Sequence, residues 1–144
     1  MTLNRPALVI LATAAATAVN LLVFVGGLAL GVPFRFPGAD GLPIAWGFVA
    51  GLTAVPLGVA LTAFALVAPR RPWATRAALI AAPVVALGSI PLMPVSVGFD
   101  VATTVALATM HVVGGAFAVL GVLGIRRRLD AAPQPAVVPA GANA

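Results

Sequence analysis

Four long apolar runs, each almost free of charge, decide what this chain can become. They cover roughly residues 6–30, 42–68, 74–97 and 100–125. Each holds the roughly 20 apolar residues that a helix needs to cross about 30 Å of hydrocarbon. In a chain of 144 residues little remains outside them: 62% of the residues are hydrophobic and 8% charged, against about 25% charged in a soluble domain. The mean hydropathy is +1.15. The expected fold is all-α, an integral membrane four-helix bundle formed by residues 1–129. The links GVPFRFPGADG, PRRPW and SVGF are short and rich in turn-forming residues, so neighbouring helices should run antiparallel, up and down.

The arginines set the orientation. Arg5 precedes the first run, Arg70, Arg71 and Arg76 flank the second link, and Arg126, Arg127 and Arg128 follow the fourth run, whereas the other two links carry Arg35, Asp40 and Asp100. The positive-inside rule then places both termini in the cytoplasm of a multi-pass cell-membrane protein. Trp46 falls at the outer interface and Trp73 at the inner one, where amphipathic rings prefer to lie. The first run, with its basic start and small residues, has some features of a secretory signal. It continues through Asn20 to Leu30, well past the usual 7–15 residues of a signal core, and is read as a span. The Pro/Ala-rich stretch 130–144 has no helical face and is expected to be a disordered cytoplasmic tail.

Lipid gives helices no hydrophobic reason to associate, so a bundle relies on small residues and a few polar contacts. Gly47 and Gly51 in the second run, and Gly114, Ala118 and Gly121 in the fourth, are the expected packing grooves. Pro56, Pro83, Pro91 and Pro94 lie inside the second and third runs, where each removes a backbone hydrogen bond and favours a kink. Ser89, beside the IPLMP sequence, can offer a hydroxyl to the freed carbonyls.

The polar residues of the apolar runs are the candidate site. In FDVATTVALATMHVVGG, Asp100 and His111 lie eleven residues apart, which on a helix returns a side chain to within about 20° of its azimuth, some 16 Å along the axis. Thr104, Leu107, Gly115 and Ala118 share that face by the same spacing. The first run has a matching stripe of Thr13, Thr17, Asn20, Phe24 and Gly27. By residue count Asn20, His111, Thr53 and Ser89 fall at similar depth, and together they can form a polar layer inside the bundle, with Asp100 at its outer mouth. His111 and Asp100 are the catalytic candidates, and Asn20, Thr17, Ser89 and Thr104 the ligand-binding candidates.

Each has a structural reading beside the functional one. His111 can be a neutral imidazole bonded to Asn20, a threonine or a carbonyl, or an ionisable group that exchanges protons or touches a ligand. Asp100 can be a helix N-cap, or a mouth-lining acid that also pairs with Arg35. Asp40, in PGADGLP, reads as a turn residue.

Composition narrows the chemistry further. There are no cysteines and no lysines, which removes disulfides, thiolate metal sites, iron–sulfur clusters and Schiff-base chemistry. With one histidine and no carboxylate cluster, neither a metal site nor a cofactor is expected; a haem would need Met110 or Met93 as its second ligand. The net charge of +5 comes from arginines beside the apolar runs and reads as topology, so no nucleic-acid partner is expected. The expected partners are the bilayer, a small apolar ligand and a second copy of the chain in a homodimer.

The fourth-run pattern GFDVATTVALATMHVVGG, with four short spans and a Pro/Ala-rich tail, resembles small four-helix membrane proteins of high-GC actinobacteria that form families of unknown function. The resemblance covers roughly residues 5–128, and its distinctive residues are Asp100, Thr104 and His111. It implies a membrane location and no particular reaction. Three function classes follow. The leading one is an accessory or small apolar ligand-binding subunit. The second is a membrane enzyme acting on a lipid or isoprenoid-like substrate, with His111 as acid/base and Asp100 as its partner through substrate. The third is a proton-coupled carrier or channel.

Overall fold

The computed structural model describes residues 4–38, 41–92 and 97–131. Asp40, Met93, Pro94 and the tail beyond Ala131 lie outside the described residues. Within them the chain is all-α, with four helices: α1 (Arg5–Ala29), α2 (Trp46–Val67), α3 (Trp73–Gly88) and α4 (Val101–Asp130).

The helix ends are written in local chemistry. Asn4 caps α1, its side chain accepting from the Ala7 N–H at 2.9 Å, and Pro6 follows in the first turn, where a missing N–H does no harm. The helix stops at Gly31, which takes φ +81°. The Val32 N–H reaches the Gly27 carbonyl at 2.9 Å and the Gly31 N–H the Leu28 carbonyl at 3.0 Å, the bond pair of a Schellman ending that only a left-handed residue allows. Asp100 caps α4, accepting from the Thr103 N–H at 2.9 Å.

Three helix ends differ from the apolar runs. α2 begins at Trp46 rather than at residue 42, because Pro43 and Ile44 stay with the link, paired with Arg35 and Phe34. α3 ends at Gly88 after 16 residues, short of the 74–97 run. Pro91 has no N–H to donate and its ring crowds the carbonyl four residues back, and the chain passes into turns in which the Ile90 N–H bonds the Leu87 carbonyl and the Leu92 N–H the Ser89 carbonyl, each at 3.2 Å. Ser89 instead turns its hydroxyl to the Ala86 carbonyl at 2.9 Å. α4 runs on past Ile125 to Asp130, so Arg126, Arg127 and Arg128 continue the helix, and Arg126 pairs with Asp130 one turn on at 3.6 Å.

α1 packs along both α2 and α4, and α3 packs along α4, but α2 and α3 barely touch although they are consecutive in the chain. Close approaches at glycine explain the tight pairs. A Cβ added at Gly115 would stand 2.8 Å from the Cβ of Ala86 on α3, and one at Gly121 would stand 2.8 Å from Leu61 of α2 and 3.4 Å from Ala12 of α1. Gly47, Gly51 and Gly114 have nothing within 4 Å of an added Cβ, so the expected groove on α2 holds no neighbouring helix.

Two apolar cores close the ends. One gathers Ala16, Leu57, Leu61, Phe64, Ala74, Val122 and Ile125. The other gathers Phe24, Phe34, Ile44, Val49 and Met110 and depends on the α1–α2 link, which folds back on itself: the Ile44 N–H donates to the Phe34 carbonyl at 2.7 Å and the Phe36 N–H to that of Leu42 at 2.8 Å. Phe34 is 1% exposed, tilted against Phe24 at 4.7 Å, and holds φ +43°, a backbone setting that costs a bulky residue energy.

Outside these cores the surface is apolar. Ile10, Leu22, Val55, Ile80, Val85 and Val105 are among many large hydrophobics left exposed, the reverse of a water-solvated protein, in which apolar patches are small. α1, α2 and α4 are long and apolar enough to cross a membrane, and α3 is a shorter apolar helix. This is consistent with a membrane protein.

Candidate functional site

A single asparagine joins three helices. Asn20, on α1, is 3% exposed, and its Nδ2 donates to Thr53 Oγ1 of α2 at 3.0 Å and to the Met110 carbonyl of α4 at 3.2 Å. The carbonyl can only accept, so the amide orientation is fixed and both N–H groups are engaged. Thr53 accepts that bond while donating its own proton to the Val49 carbonyl at 2.8 Å. Asn20 Oδ1 is left buried without a partner.

His111 is one residue further along α4, half-buried. Its Nδ1 lies 2.9 Å from the Leu107 carbonyl. Since that oxygen only accepts, Nδ1 carries the proton, which in the neutral tautomer leaves Nε2 as an acceptor. Asn20 and His111 are therefore not bonded to each other, although each is bonded within reach of the Met110 turn.

Because α2 and α3 stand apart, a cavity of about 670 Å³ opens between them, floored by α4. Asn20, Thr53, Ser89 and His111 all line it, among an otherwise apolar wall that includes Leu52, Pro56, Ala82 and Val85. Its volume falls within the range of small-molecule sites, and so does its chemistry of apolar walls with a few convergent polar groups. Among the described residues no charged side chain contributes to the lining.

The other candidates stand elsewhere. Asp100 is exposed at the N-cap of α4 and is no part of the cavity wall. Its backbone is extended, with ψ 161°, so helical spacing does not carry its side chain onto the His111 face. Thr103, whose side chain lies beside the carboxyl and whose N–H donates to it, holds it below the usual carboxylate range. Arg35 does not pair with it and instead donates to the Gly41 carbonyl at 2.8 Å. Thr104 lies in the first turn of α4, its hydroxyl 3.4 Å from the Phe99 carbonyl, while Thr103 beside it is the threonine turned fully inward. Thr17 bonds the Thr13 carbonyl at 2.8 Å and lines a separate, more open groove between α1 and α2.

Sequence spacing undervalued two contributors. Thr53 is one of the two partners of the Asn20 amide, and its signal was only a lone hydroxyl in an apolar run. Pro56, one turn later, deprives the Leu52 carbonyl of its helical donor, and both residues face the cavity. Among the described residues no three His, Asp or Glu side chains gather to hold a metal ion.

No curated protein and no solved structure matches the chain. A family model does, along residues 2–129, which takes in all four helices but for Asp130 at the end of α4, and every residue of the cavity wall. The chain belongs to DUF6069, a family of unknown function.

Proposed function

We propose that this is a four-pass integral membrane protein, up and down with both termini cytoplasmic, that serves as an accessory subunit binding a small apolar ligand in the cleft between α2 and α3. The arginine distribution supports the orientation, and Trp46 and Trp73, both exposed at helix starts, suit the two interfaces. α3, with 16 residues, accounts for about 24 Å of its crossing at 1.5 Å per residue.

The carrying observation is the cavity itself: about 670 Å³, walled by apolar side chains and open sideways where α2 and α3 part. A membrane-dissolved molecule can enter it without passing through water. Reactive groups are scarce, which favours binding over catalysis. An enzyme using His111 is the second reading, supported by the unengaged Nε2; Asp100 gives it no help, being off the cavity. The carrier reading loses ground because Asp100 and Asp130 both stand at the ends of α4.

Native mass spectrometry of the protein released from mild detergent tests the proposal. The wild type is expected to retain one apolar molecule per chain. Ala81→Trp, which fills the cleft from an exposed position on its wall, is expected to lose it while unfolding at an unchanged temperature. Equal retention by both proteins, or by neither, refutes the assignment of the cleft as the binding site. A second copy of the chain seated there would instead appear as a dimer that Ala81→Trp dissociates.

A further inference from the structure

Among the described residues, the polar side chains along the cleft wall have their donors engaged and keep only acceptors. His111 Nδ1–H is engaged by the Leu107 carbonyl, leaving Nε2. The Ser89 hydroxyl donates to Ala86 and the Thr53 hydroxyl to Val49, leaving oxygen lone pairs. Both N–H groups of Asn20 are engaged, and its Oδ1, in a residue 97% withdrawn from the surface, has no partner. The Leu52 carbonyl lacks its helical donor because Pro56 follows it by four. No arginine lines the cavity.

A carboxylate or phosphate brought here would meet lone pairs in a low-dielectric setting, without a cation or an N–H to receive it. A hydroxyl would give its proton to one of those acceptors and stay uncharged. We infer that the cleft selects a long-chain molecule with a neutral hydrogen-bond donor at its head, a fatty or isoprenoid alcohol, and rejects the matching acid and phosphate ester. This rests on the ligand-binding reading and specifies its substrate class. His111 Nε2 is the principal acceptor and the group that distinguishes an alcohol head from a hydrocarbon end.

The test uses the full chain in detergent micelles at about pH 8.5, where free imidazole is neutral, with three probes of one chain length: hexadecanol, palmitate and hexadecyl phosphate. Binding is read by native mass spectrometry and by competition against a fluorescent long-chain alcohol. Hexadecanol is expected to bind at least about tenfold more tightly than either anion. His111→Leu, which removes the acceptor and keeps the wall apolar, is expected to weaken hexadecanol about tenfold and to leave the weak anion binding unchanged. Equal binding of alcohol and acid overturns the selectivity and leaves the ligand-binding reading standing. Saturable binding of none of the three overturns both. His111→Gln is the folding control: its amide brings an N–H donor beside an acceptor oxygen, so a gain in palmitate binding supports the inference and palmitate binding as weak as in the wild type contradicts it.

Discussion

Gly114 and Gly115 are neighbours on α4, and the structure gives them opposite fates on gaining a methyl group. A Cβ at Gly114 meets nothing within 4 Å, whereas a Cβ at Gly115 would stand 2.8 Å from the Cβ of Ala86, about an ångström inside the 3.5–4.0 Å at which carbons attract. Ala86 Cβ is fixed to the α3 backbone, so no rotamer change relieves the overlap and the helix itself must move. Gly→Ala adds roughly 1 kcal/mol of helix preference at either position, and that term cancels between them. The overlap costs about 1–3 kcal/mol, so Gly115→Ala should be less stable than Gly114→Ala by that amount. For a chain of this size this corresponds to roughly 3–9 °C in the unfolding midpoint. Thermal unfolding of both variants in one detergent, followed by helical circular dichroism, measures it. Equal midpoints would show that α3 does not approach α4 at Ala86, and the position of the cleft wall would fall with it. Gly121→Ala should lie between the two, because its nearest atoms are the movable methyl ends of Leu61.

Other substitutions read out the remaining contacts. Asn20→Leu removes two interhelical bonds worth about 0.6 kcal/mol each in a membrane setting, so a loss near 1 kcal/mol is expected; a double-mutant cycle with Thr53→Val that gives zero coupling would refute the Asn20–Thr53 bond. Asp100→Asn should preserve stability, as asparagine caps as well as aspartate, while Asp100→Ala should cost about 1 kcal/mol at pH 7. Because the folded carboxyl is held low, its contribution is present above the ordinary carboxylate value of about 3.9 and fades as pH falls through the folded value. The gap between Asp100→Ala and wild type should therefore close in acid, and a gap that widens would contradict the cap. Phe34→Ala should destabilise by roughly 3 kcal/mol through loss of the ring packed on Phe24 and Gly27, measured as a drop in midpoint; a neutral result would mean the link does not plug the end of the helices.

Much of the architecture was legible because its causes are local. Apolar runs of the right length declare helices, Asp100 is a cap residue where a cap is needed, and a polar residue in an apolar run points toward other polar residues. That logic placed Asn20 and His111 near mid-membrane with Thr53 and Ser89 at similar or slightly more outward depth, and all four line one cavity. The illegible parts depend on distances between helices. Whether Gly51 or Gly115 is a contact glycine turns on which helices meet, and no single-helix pattern carries that information. The extension of the polar stripe to Asp100 failed because helical spacing was carried past the first helical residue. Helix α3 fell short of its run because proline geometry at Pro91 outweighs hydrophobicity in deciding where a helix stops.

The central claim is that an apolar ligand occupies the space between α2 and α3. Photolabelling tests it most directly, with a long-chain alcohol carrying a diazirine near its head, irradiated on the protein in lipid nanodiscs and mapped by peptide mass spectrometry. Adducts are expected on Leu52, Pro56, Val85 and His111, suppressed by excess unlabelled alcohol. Labelling spread evenly over outward residues such as Leu22 and Val55, or cleft labelling that excess alcohol does not suppress, would contradict it.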